Sequence, residues 1–217
     1  MNALLAGATG LIGREVSRAW PSGQGTLHLL LRRPLATVRA GQQAQVVDFA
    51  ALPTLPRAEV ALCCLGTTIA VAGSQAAFKA VDWGAVLAFA QAARQAGVKS
   101  FGLVSALGAD SASGSFYSRV KGQTEEALQA LNFETLVIAR PSLLAGDRAS
   151  LGQAPRTAER LALSLMKPLS ALIPLAWRPI EARTVALALL RSTLHAQPGL
   201  QVLSSAALQK IGAGPDL

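Results

Sequence analysis

Three residues in the middle of the chain have the types and the spacing of a proton-transfer site. Tyr117 and Lys121 are four residues apart, and Ser105 precedes Tyr117 by twelve residues. If the segment is helical, side chains at positions i and i+4 lie on one face of the helix. An ammonium group beside a phenol stabilises the phenolate, so Tyr117 could exchange a proton at neutral pH. The Ser105 hydroxyl could hold a substrate carbonyl beside it, which makes these three the candidate catalytic residues.

The N-terminal segment has the glycine spacing of a nucleotide-binding loop, in the sequence Gly7-Ala8-Thr9-Gly10-Leu11-Ile12-Gly13. Residues 3–6 before it predict a buried strand, and residues 11–20 predict a helix that ends at Pro21. In this context Gly7 permits a tight turn, Gly10 lets the backbone approach a pyrophosphate, and Gly13 lets the helix pack against the strand. The phosphates would lie at the helix N-terminus. The alternative is a purely structural glycine turn. The loop residues expected to bind the cofactor are Gly7, Thr9, Gly10, Leu11, Ile12 and Gly13.

The residues after the second predicted strand indicate which nucleotide the loop would bind. An NAD enzyme usually has an acidic residue there for the ribose hydroxyls. This chain has Arg32 and Arg33 after the apolar residues 26–31, and two guanidinium groups suit a 2′-phosphate. We therefore expect NADP rather than NAD, with NADPH preferred over NADH; the alternative is two solvated arginines in a turn. Asp48, after Val46 and Val47, could meet the adenine amino group or could be a turn residue.

The remaining chain alternates between predicted strands and helices, which predicts a doubly wound parallel α/β sheet, the Rossmann fold. Further strands are predicted over residues 60–65, 101–104, 135–139 and 200–203, and helices over residues 75–96 and 116–131. In such sheets ligands bind at the carboxyl ends of the strands. Leu65, Gly66 and Thr67 follow one of these ends and are expected along the ribose and phosphates of the cofactor.

The composition predicts one well-buried domain over residues 1–217. Of these residues 51% are apolar and 15% are charged. The net charge of +8 is spread along the chain without an aromatic platform for bases, so we expect no nucleic-acid partner. The most apolar later segment, residues 161–177, is interrupted by Lys167, Pro168 and Pro174. It is too short to span a bilayer, so we expect no membrane partner.

The two cysteines, Cys63 and Cys64, are adjacent in an apolar predicted strand. They cannot easily pair with each other and do not match a metal-ligand spacing, so we expect buried, inert thiols and no metal site. Free thiols suit a reducing cytosol, and the N-terminus lacks the basic start of a signal peptide. These observations predict a cytoplasmic protein.

Two sets of motifs carry a resemblance to known proteins. The broader set is Gly7-x-x-Gly10-x-x-Gly13, Ser105, Tyr117-x-x-x-Lys121 and Arg140-Pro141. It resembles the short-chain dehydrogenase/reductase superfamily in its extended and atypical forms. The narrower set is similar to the Tat-interacting-protein oxidoreductase branch and its bacterial relatives, over about residues 1–150. It comprises Cys63-Cys64-Leu65-Gly66-Thr67-Thr68, Phe78-x-x-Val81-Asp82, Ser105-x-x-Gly108-Ala109-Asp110, Phe116-Tyr117-x-x-Val120-Lys121-Gly122 and Arg140-Pro141-x-x-Leu144.

The resemblance implies a role for each candidate residue. Tyr117 would donate or accept the proton, Lys121 would tune it and bind the nicotinamide ribose, and Ser105 would orient the substrate. The residues implied to flank the nicotinamide are Pro141, Ser142 and Leu143. Members of the superfamily commonly have a helix asparagine that completes a proton relay. This chain has Val81-Asp82 near that region instead, which puts the relay in doubt.

The favoured function is an NADP(H)-dependent oxidoreductase that transfers a hydride to or from a small carbonyl or alcohol substrate, with Tyr117 as acid or base. A redox-sensing or regulatory protein that binds NADP(H) with little turnover is the first alternative. A nucleotide-sugar epimerase or dehydratase is the second, ranked lower because such enzymes usually have a larger substrate lobe than the ~70 residues that remain here.

The C-terminal third is expected to form a small helical extension on the substrate side, mainly over residues 143–217. Helices are predicted over residues 156–172 and 181–192. With little polar chemistry in this region, a small or apolar carbonyl substrate is the first interpretation. The helices could instead only roof the cleft, or residues 161–177 could pair with another subunit. A monomer and a homodimer both remain open.

Overall fold

The core of the molecule is a seven-stranded sheet in which every neighbouring pair of strands is parallel. The computed structural model describes residues 1–21, 23–145, 174–195 and 197–214. The strand order is β3-β2-β1-β4-β5-β6-β9, and a separate parallel pair joins β7 to β8. The prediction of a doubly wound Rossmann sheet is therefore confirmed. The strands are β1 (Ala3–Ala6), β2 (Leu27–Leu31), β3 (Gln42–Val46), β4 (Val60–Cys63), β5 (Ser100–Val104), β6 (Thr135–Arg140), β7 (Leu144–Ala145), β8 (Ile180–Glu181) and β9 (Gly199–Ser204).

Helices cover both faces of the sheet, because the central strands are apolar on both sides and must be buried on both. One apolar cluster joins Leu5 of the sheet to Val16 and Leu189, and the other joins Leu4 to Phe89 and Leu128. The described helices are α1 (Leu11–Ala19), α2 (Ile69–Ala72), α3 (Gln75–Lys79), a π-helix (Ala80–Ala85), α4 (Val86–Gln95), α5 (Phe116–Gln129), α6 (Ala182–His195) and α7 (Ser205–Gly212).

The predicted single helix over residues 75–96 is interrupted by the π-helix, which separates α3 from α4. A π-helix accommodates one extra residue per turn, and apolar periodicity over a short alanine-rich stretch does not reveal it. The interruption buries Asp82 completely, although both flanking helices bury only apolar side chains. The π-helix therefore places one buried carboxylate in a helical segment whose other buried side chains are apolar.

Two elements of the C-terminal part of the chain belong to the core. The predicted strand over residues 200–203 is β9, and the predicted helix over residues 181–192 is α6. Helix α6 packs against α1 and the sheet, since Val185, Leu189 and Leu190 are fully buried there. A helix with so many buried positions belongs to the interior, and the substrate-side elements expected over residues 143–217 stay a prediction. The helix predicted over residues 156–172 lies outside the described residues.

Candidate active site at the carboxyl ends of the strands

Two adjoining cavities, with volumes of about 670 and 210 Å³, lie at the carboxyl ends of the central strands. Both are lined by Gly10, Cys64, Leu65 and Gly66, so they form one continuous crevice. The larger cavity also meets Gly7, Thr9, Arg32, Arg33 and Asp48. The smaller cavity also meets Leu11, Ile12, Thr67, Ser105, Tyr117, Lys121 and Leu144. The structure thus brings most of the predicted site residues together.

The glycine loop is packed so closely that two of its positions exclude any side chain. Gly7 has a φ of +85°, and a Cβ there would lie 2.5 Å from the carbonyl carbon of Cys64. A Cβ on Gly13 would lie 2.1 Å from the Gly7 oxygen, which would push α1 away from the loop. Gly10 is the N-cap of α1 and offers no side-chain acceptor to the first turn of the helix. The helix N-terminus therefore opens onto the crevice, as an anion site requires.

The predicted nucleotide-selecting residues lie on the wall of the larger cavity. The side chains of Arg32 and Arg33 are exposed at the rim of this cavity. This is the position expected of side chains that recognise a ligand as it binds there. Asp48 lines the same cavity, and it also forms a turn in which its carboxylate accepts the Ala50 N–H at 2.9 Å. Both interpretations of Asp48 made from the sequence are compatible with this position.

Tyr117 and Lys121 lie in the first two turns of α5, as predicted, and meet Ser105 at the end of β5 in the smaller cavity. The Tyr117 ring packs against the fully buried Phe78, with 5.4 Å between ring centroids. This contact limits the directions in which the phenol can point. The three candidate catalytic residues are thus held against one small space.

Asp82 is a site residue that sequence reasoning missed. Its Oδ1 lies 2.7 Å from Nζ of Lys121, and its Oδ2 accepts the backbone N–H of Thr67 at 2.8 Å. Burial of Lys121 favours its neutral form, but the attraction of Asp82 and of Tyr117 outweighs burial and raises the pKa of Lys121 above its ordinary value. One available signal was that Asp82 is the single acidic residue between positions 60 and 109.

Glu125 is the second missed residue, and it contacts Ser105 directly. The buried Ser105 hydroxyl donates a hydrogen bond to Oε1 of Glu125, whose other oxygen lies 2.5 Å from Nη2 of Arg140. The hydrogen bond to Glu125 raises the pKa of Arg140, against the smaller effect of burial. The spacing of Tyr117, Lys121 and Glu125 on α5 is i, i+4 and i+8. Residues with this spacing are neighbours along one side of a helix, so the sequence itself indicates that Glu125 lies near the other two.

The predicted nicotinamide-flanking residues lie beside the crevice rather than on the walls of these two cavities. The Pro141 carbonyl accepts the Leu107 N–H at 2.9 Å, and the Ser142 hydroxyl donates to the Arg178 carbonyl at 2.5 Å. Leu143 is 41% exposed, whereas the next residue, Leu144, lines the smaller cavity. Neighbouring side chains on an extended chain point in opposite directions, so a shift of one residue changes which one faces the cavity.

The two cysteines lie in different surroundings, but each has a neutral thiol. Cys63 is fully buried in β4, and Cys64 lines both cavities at the floor of the crevice. Burial raises the pKa of Cys63 to about 12 and also raises the pKa of Cys64. Both thiols are therefore protonated at neutral pH. The prediction of a buried thiol is confirmed for Cys63, whereas Cys64 is only partly buried.

Within the described ranges, no group of three or more His, Cys, Asp or Glu side chains is arranged to hold a metal ion. None of the helices in those ranges has the length and apolar character needed to cross a bilayer.

Solved structures with this fold bind dinucleotides. MoeE5 in complex with UDP-glucose and NAD superimposes with a TM-score of 0.70 at 17% identity, covering 94% of this chain and 75% of that one. The human epimerase family protein SDR39U1 with NADPH gives a TM-score of 0.61 at 19% identity, covering 95% of this chain and 77% of that one. The fold is therefore the Rossmann fold of the short-chain dehydrogenase/reductase and epimerase proteins.

Curated relatives define the family more narrowly. HTATIP2 of Rattus norvegicus is 34% identical over 180 residues, which cover 79% of this chain and 71% of the relative. FMP52 of Debaryomyces hansenii is 35% identical over 155 residues, which cover 68% of this chain and 69% of the relative. No protein-family model matches the chain. The chain belongs to the family of HTATIP2 and FMP52, which confirms the resemblance to the Tat-interacting-protein branch.

The expectation of a cytoplasmic protein is wrong. The FMP52 relatives from Debaryomyces hansenii, Emericella nidulans and Aspergillus fumigatus are named mitochondrial proteins. The expectation rested on two free cysteines and on the residues of the N-terminus. Burial alone keeps such thiols protonated and unreactive, so they carry no information about the compartment.

Proposed function

We propose that the protein is an NADP(H)-dependent oxidoreductase of the short-chain dehydrogenase/reductase type, acting on a small carbonyl or alcohol. The observation that carries this proposal is the single crevice that joins the glycine loop to the Ser105, Tyr117 and Lys121 cluster. A nicotinamide dinucleotide has phosphates that need hydrogen-bond donors and a nicotinamide ring that reacts. The crevice has the glycine loop at the end suited to the phosphates, and the Ser105, Tyr117 and Lys121 cluster at the end suited to the reaction.

The residues present fit a bound nicotinamide dinucleotide. The larger cavity has a volume of about 670 Å³, within the range of roughly 300–1,000 Å³ that is usual for ligand sites. The N-terminus of α1 would receive the pyrophosphate, and the close packing of Gly7 and Gly13 leaves the loop backbone accessible to it. Arg32 and Arg33 would bind a 2′-phosphate, which is the basis for NADP(H) over NAD(H).

The cofactor supplies or accepts a hydride at its nicotinamide when bound. The protein would supply the proton: the Tyr117 hydroxyl donates to the carbonyl oxygen during reduction and accepts from the alcohol during oxidation. The charged Lys121 beside it stabilises negative charge that develops on either oxygen. Ser105, buried at the end of β5 with its hydroxyl donating to Glu125, would accept a hydrogen bond from an alcohol substrate or from the Tyr117 hydroxyl.

A binding protein with little turnover is the second candidate, and two contacts favour it. Ser105 donates its proton to Glu125, and Lys121 is paired with Asp82. Two of the three candidate catalytic groups are therefore already engaged by carboxylates inside the protein. Such a site could hold a cofactor while reacting slowly.

The first experiment is a calorimetric titration of the purified protein with NADPH and, separately, with NADH. We expect NADPH to bind at least about tenfold more tightly, since a charge-assisted contact to the 2′-phosphate contributes about 1.5–3 kcal/mol. Equal affinities would overturn the preference for NADP(H). Absence of binding by both would overturn the proposed function. A screen of small aldehydes and ketones with the bound cofactor then separates the enzyme from the binding protein.

A further inference from the structure

We propose that Asp82 is a positioning residue that holds Lys121 charged and aimed into the crevice, and links it to the loop at residues 66–67. The part of this inference that concerns the cofactor rests on the proposed function. The link between Asp82 and Lys121 is a property of the chain itself.

Asp82 connects three separate elements through its two oxygens and its backbone. Oδ1 lies 2.7 Å from Nζ of Lys121 on α5, and Oδ2 accepts the N–H of Thr67 after β4. The backbone carbonyl of Asp82 accepts the Thr124 hydroxyl at 2.9 Å, which attaches the π-helix to α5 a second time. The side-chain contacts to Lys121 and Thr67 and the backbone contact to Thr124 together therefore fix the position of the Asp82 carboxylate.

Asp82 lies within the π-helix, and its backbone carbonyl has a partner outside that helix. Such segments are rare, and they often occur at functional sites because they move side chains and free backbone groups. Here the Asp82 carbonyl bonds to Thr124 outside its own helix. A regular α-helix over the same residues would direct that carbonyl along the helix axis to the N–H four residues later.

Lys121 lines the smaller cavity, and Gly66 lies beside its ion pair with Asp82. A Cβ added to Gly66 would lie 3.4 Å from Oδ1 of Asp82 and 3.7 Å from Nζ of Lys121. Gly66 lines both cavities, so a ligand passing from the larger to the smaller cavity passes this pair. The Lys121 ammonium can thus contact such a ligand while its ion pair with Asp82 fixes the position of the ammonium.

The groups that influence the charge of Lys121 are few. They are Asp82 on the π-helix, Tyr117 on α5 and Cys63 on β4. Cys63 stays neutral at physiological pH because burial raises its pKa to about 12. Asp82 therefore supplies the larger part of the attraction that offsets the burial of the ammonium, ahead of Tyr117. Without it, burial would lower the pKa of Lys121.

The first test compares NADPH affinity at pH 7.5 and pH 9.5 in wild type and Asp82→Asn. Asparagine keeps an acceptor for Thr67 but removes the charge. In the variant Lys121 loses its proton as the pH rises, so NADPH affinity falls about tenfold over this range. Wild type changes less than about twofold, because the pKa of Lys121 is raised and the 2′-phosphate, with a second pKa of about 6, no longer titrates. Glu134→Gln, which removes an exposed charge paired with Lys99, is the matched control.

The second test is a double-mutant cycle on thermal unfolding that needs no cofactor. Lys121→Met leaves the Asp82 carboxylate buried without a cation and should lower the unfolding midpoint by about 10 °C. Adding Asp82→Asn should recover most of that loss, since no buried charge then remains. The exposed pair of Lys99 and Glu134, substituted as Lys99→Met and Glu134→Gln, should show additive effects.

The two tests separate this inference from the proposed function. Additive effects of Lys121→Met and Asp82→Asn, or parallel pH profiles of wild type and Asp82→Asn, would overturn the role of Asp82. If wild type binds no NADPH, the proposed function fails, and the unfolding cycle alone then decides whether Asp82 holds Lys121. Recovery in the cycle together with a pH-dependent affinity in the variant supports both.

Discussion

The hydroxyl of Ser105 donates its one hydrogen bond to the carboxylate of Glu125, and both groups are buried. Glu125 also accepts hydrogen bonds from the guanidinium of Arg140, so it is the acceptor towards both partners. The Ser105 oxygen therefore faces the crevice with lone pairs only. It suits a partner that donates a hydrogen bond, such as an alcohol or the Tyr117 hydroxyl, better than a bare carbonyl.

Replacing Glu125 by alanine should destabilise the protein by about 2 kcal/mol. The substitution removes the acceptor of Ser105 and leaves Arg140 without its carboxylate, although the partial exposure of Arg140 reduces the cost. The free energy of unfolding in urea measures this change. The neighbouring substitution Glu126→Ala, which removes only an exposed contact to Ser111, should cost less than about 0.5 kcal/mol. Equal effects of the two substitutions would mean that the buried network contributes little.

Tyr117→Phe should reduce turnover of a carbonyl substrate by about 10²–10⁴-fold while NADPH affinity stays within about twofold. The substitution removes the proton donor but keeps the ring that packs against Phe78. Steady-state rates and a calorimetric titration on the same preparation provide the two measurements. Full activity in this variant would exclude Tyr117 from the reaction.

Replacing Arg32 and Arg33 together by alanine should weaken NADPH binding by about 10–100-fold and NADH binding by less than about threefold. The difference arises because only NADPH carries the 2′-phosphate that these side chains would bind. Calorimetric titration of both cofactors tests it. Arg39→Ala is the control, since Arg39 is exposed nearby but does not line the larger cavity. A similar loss for the two cofactors would refute the recognition of the 2′-phosphate.

Cys63 should react with iodoacetamide at pH 8 at least about 100-fold more slowly than an unperturbed thiol. The side chain is fully buried, and burial raises its pKa to about 12, whereas the thiolate is the reactive form. The raised pKa of Cys64 should protect that thiol as well, although it lines the crevice. Mass spectrometry after timed alkylation measures both, and unfolding in urea should restore ordinary rates. Rapid labelling of the folded protein would indicate a reactive thiol in the crevice.

The features that the sequence predicted correctly are those with a local cause. The central strands are continuous apolar runs, and the spacing of Gly7, Gly10 and Gly13 lies within one strand–loop–helix unit. The close contact that excludes a side chain at Gly13 is local, whereas the one at Gly7 is made by Cys64 after β4. Ser105, Tyr117 and Lys121 follow from a strand end and a helical spacing. Each of these signals lies within about twenty residues of chain.

The features that the sequence did not reveal depend on distant contacts. Asp82 meets Lys121, and Glu125 meets Arg140, only after several elements have packed. Strand β3 was recognised only at its end near Val46, because four of its five residues are exposed and most are polar. An edge strand of this kind has no apolar pattern, and its place is set by pairing with β2.

Helix α6 completes the apolar layer that helix α1 begins at the opposite end of the chain, where Ile12 and Val16 share a cluster with Val185 and Leu189. A ribosome adds about 5–20 residues per second, so the first helix waits many seconds for the surface that covers it. During that interval the apolar side of α1 is exposed to other nascent chains and to chaperones. A product of translation that stops before residue 182 leaves the helix of the glycine loop without its packing partner, so the crevice beside α1 lacks that support until α6 has been made.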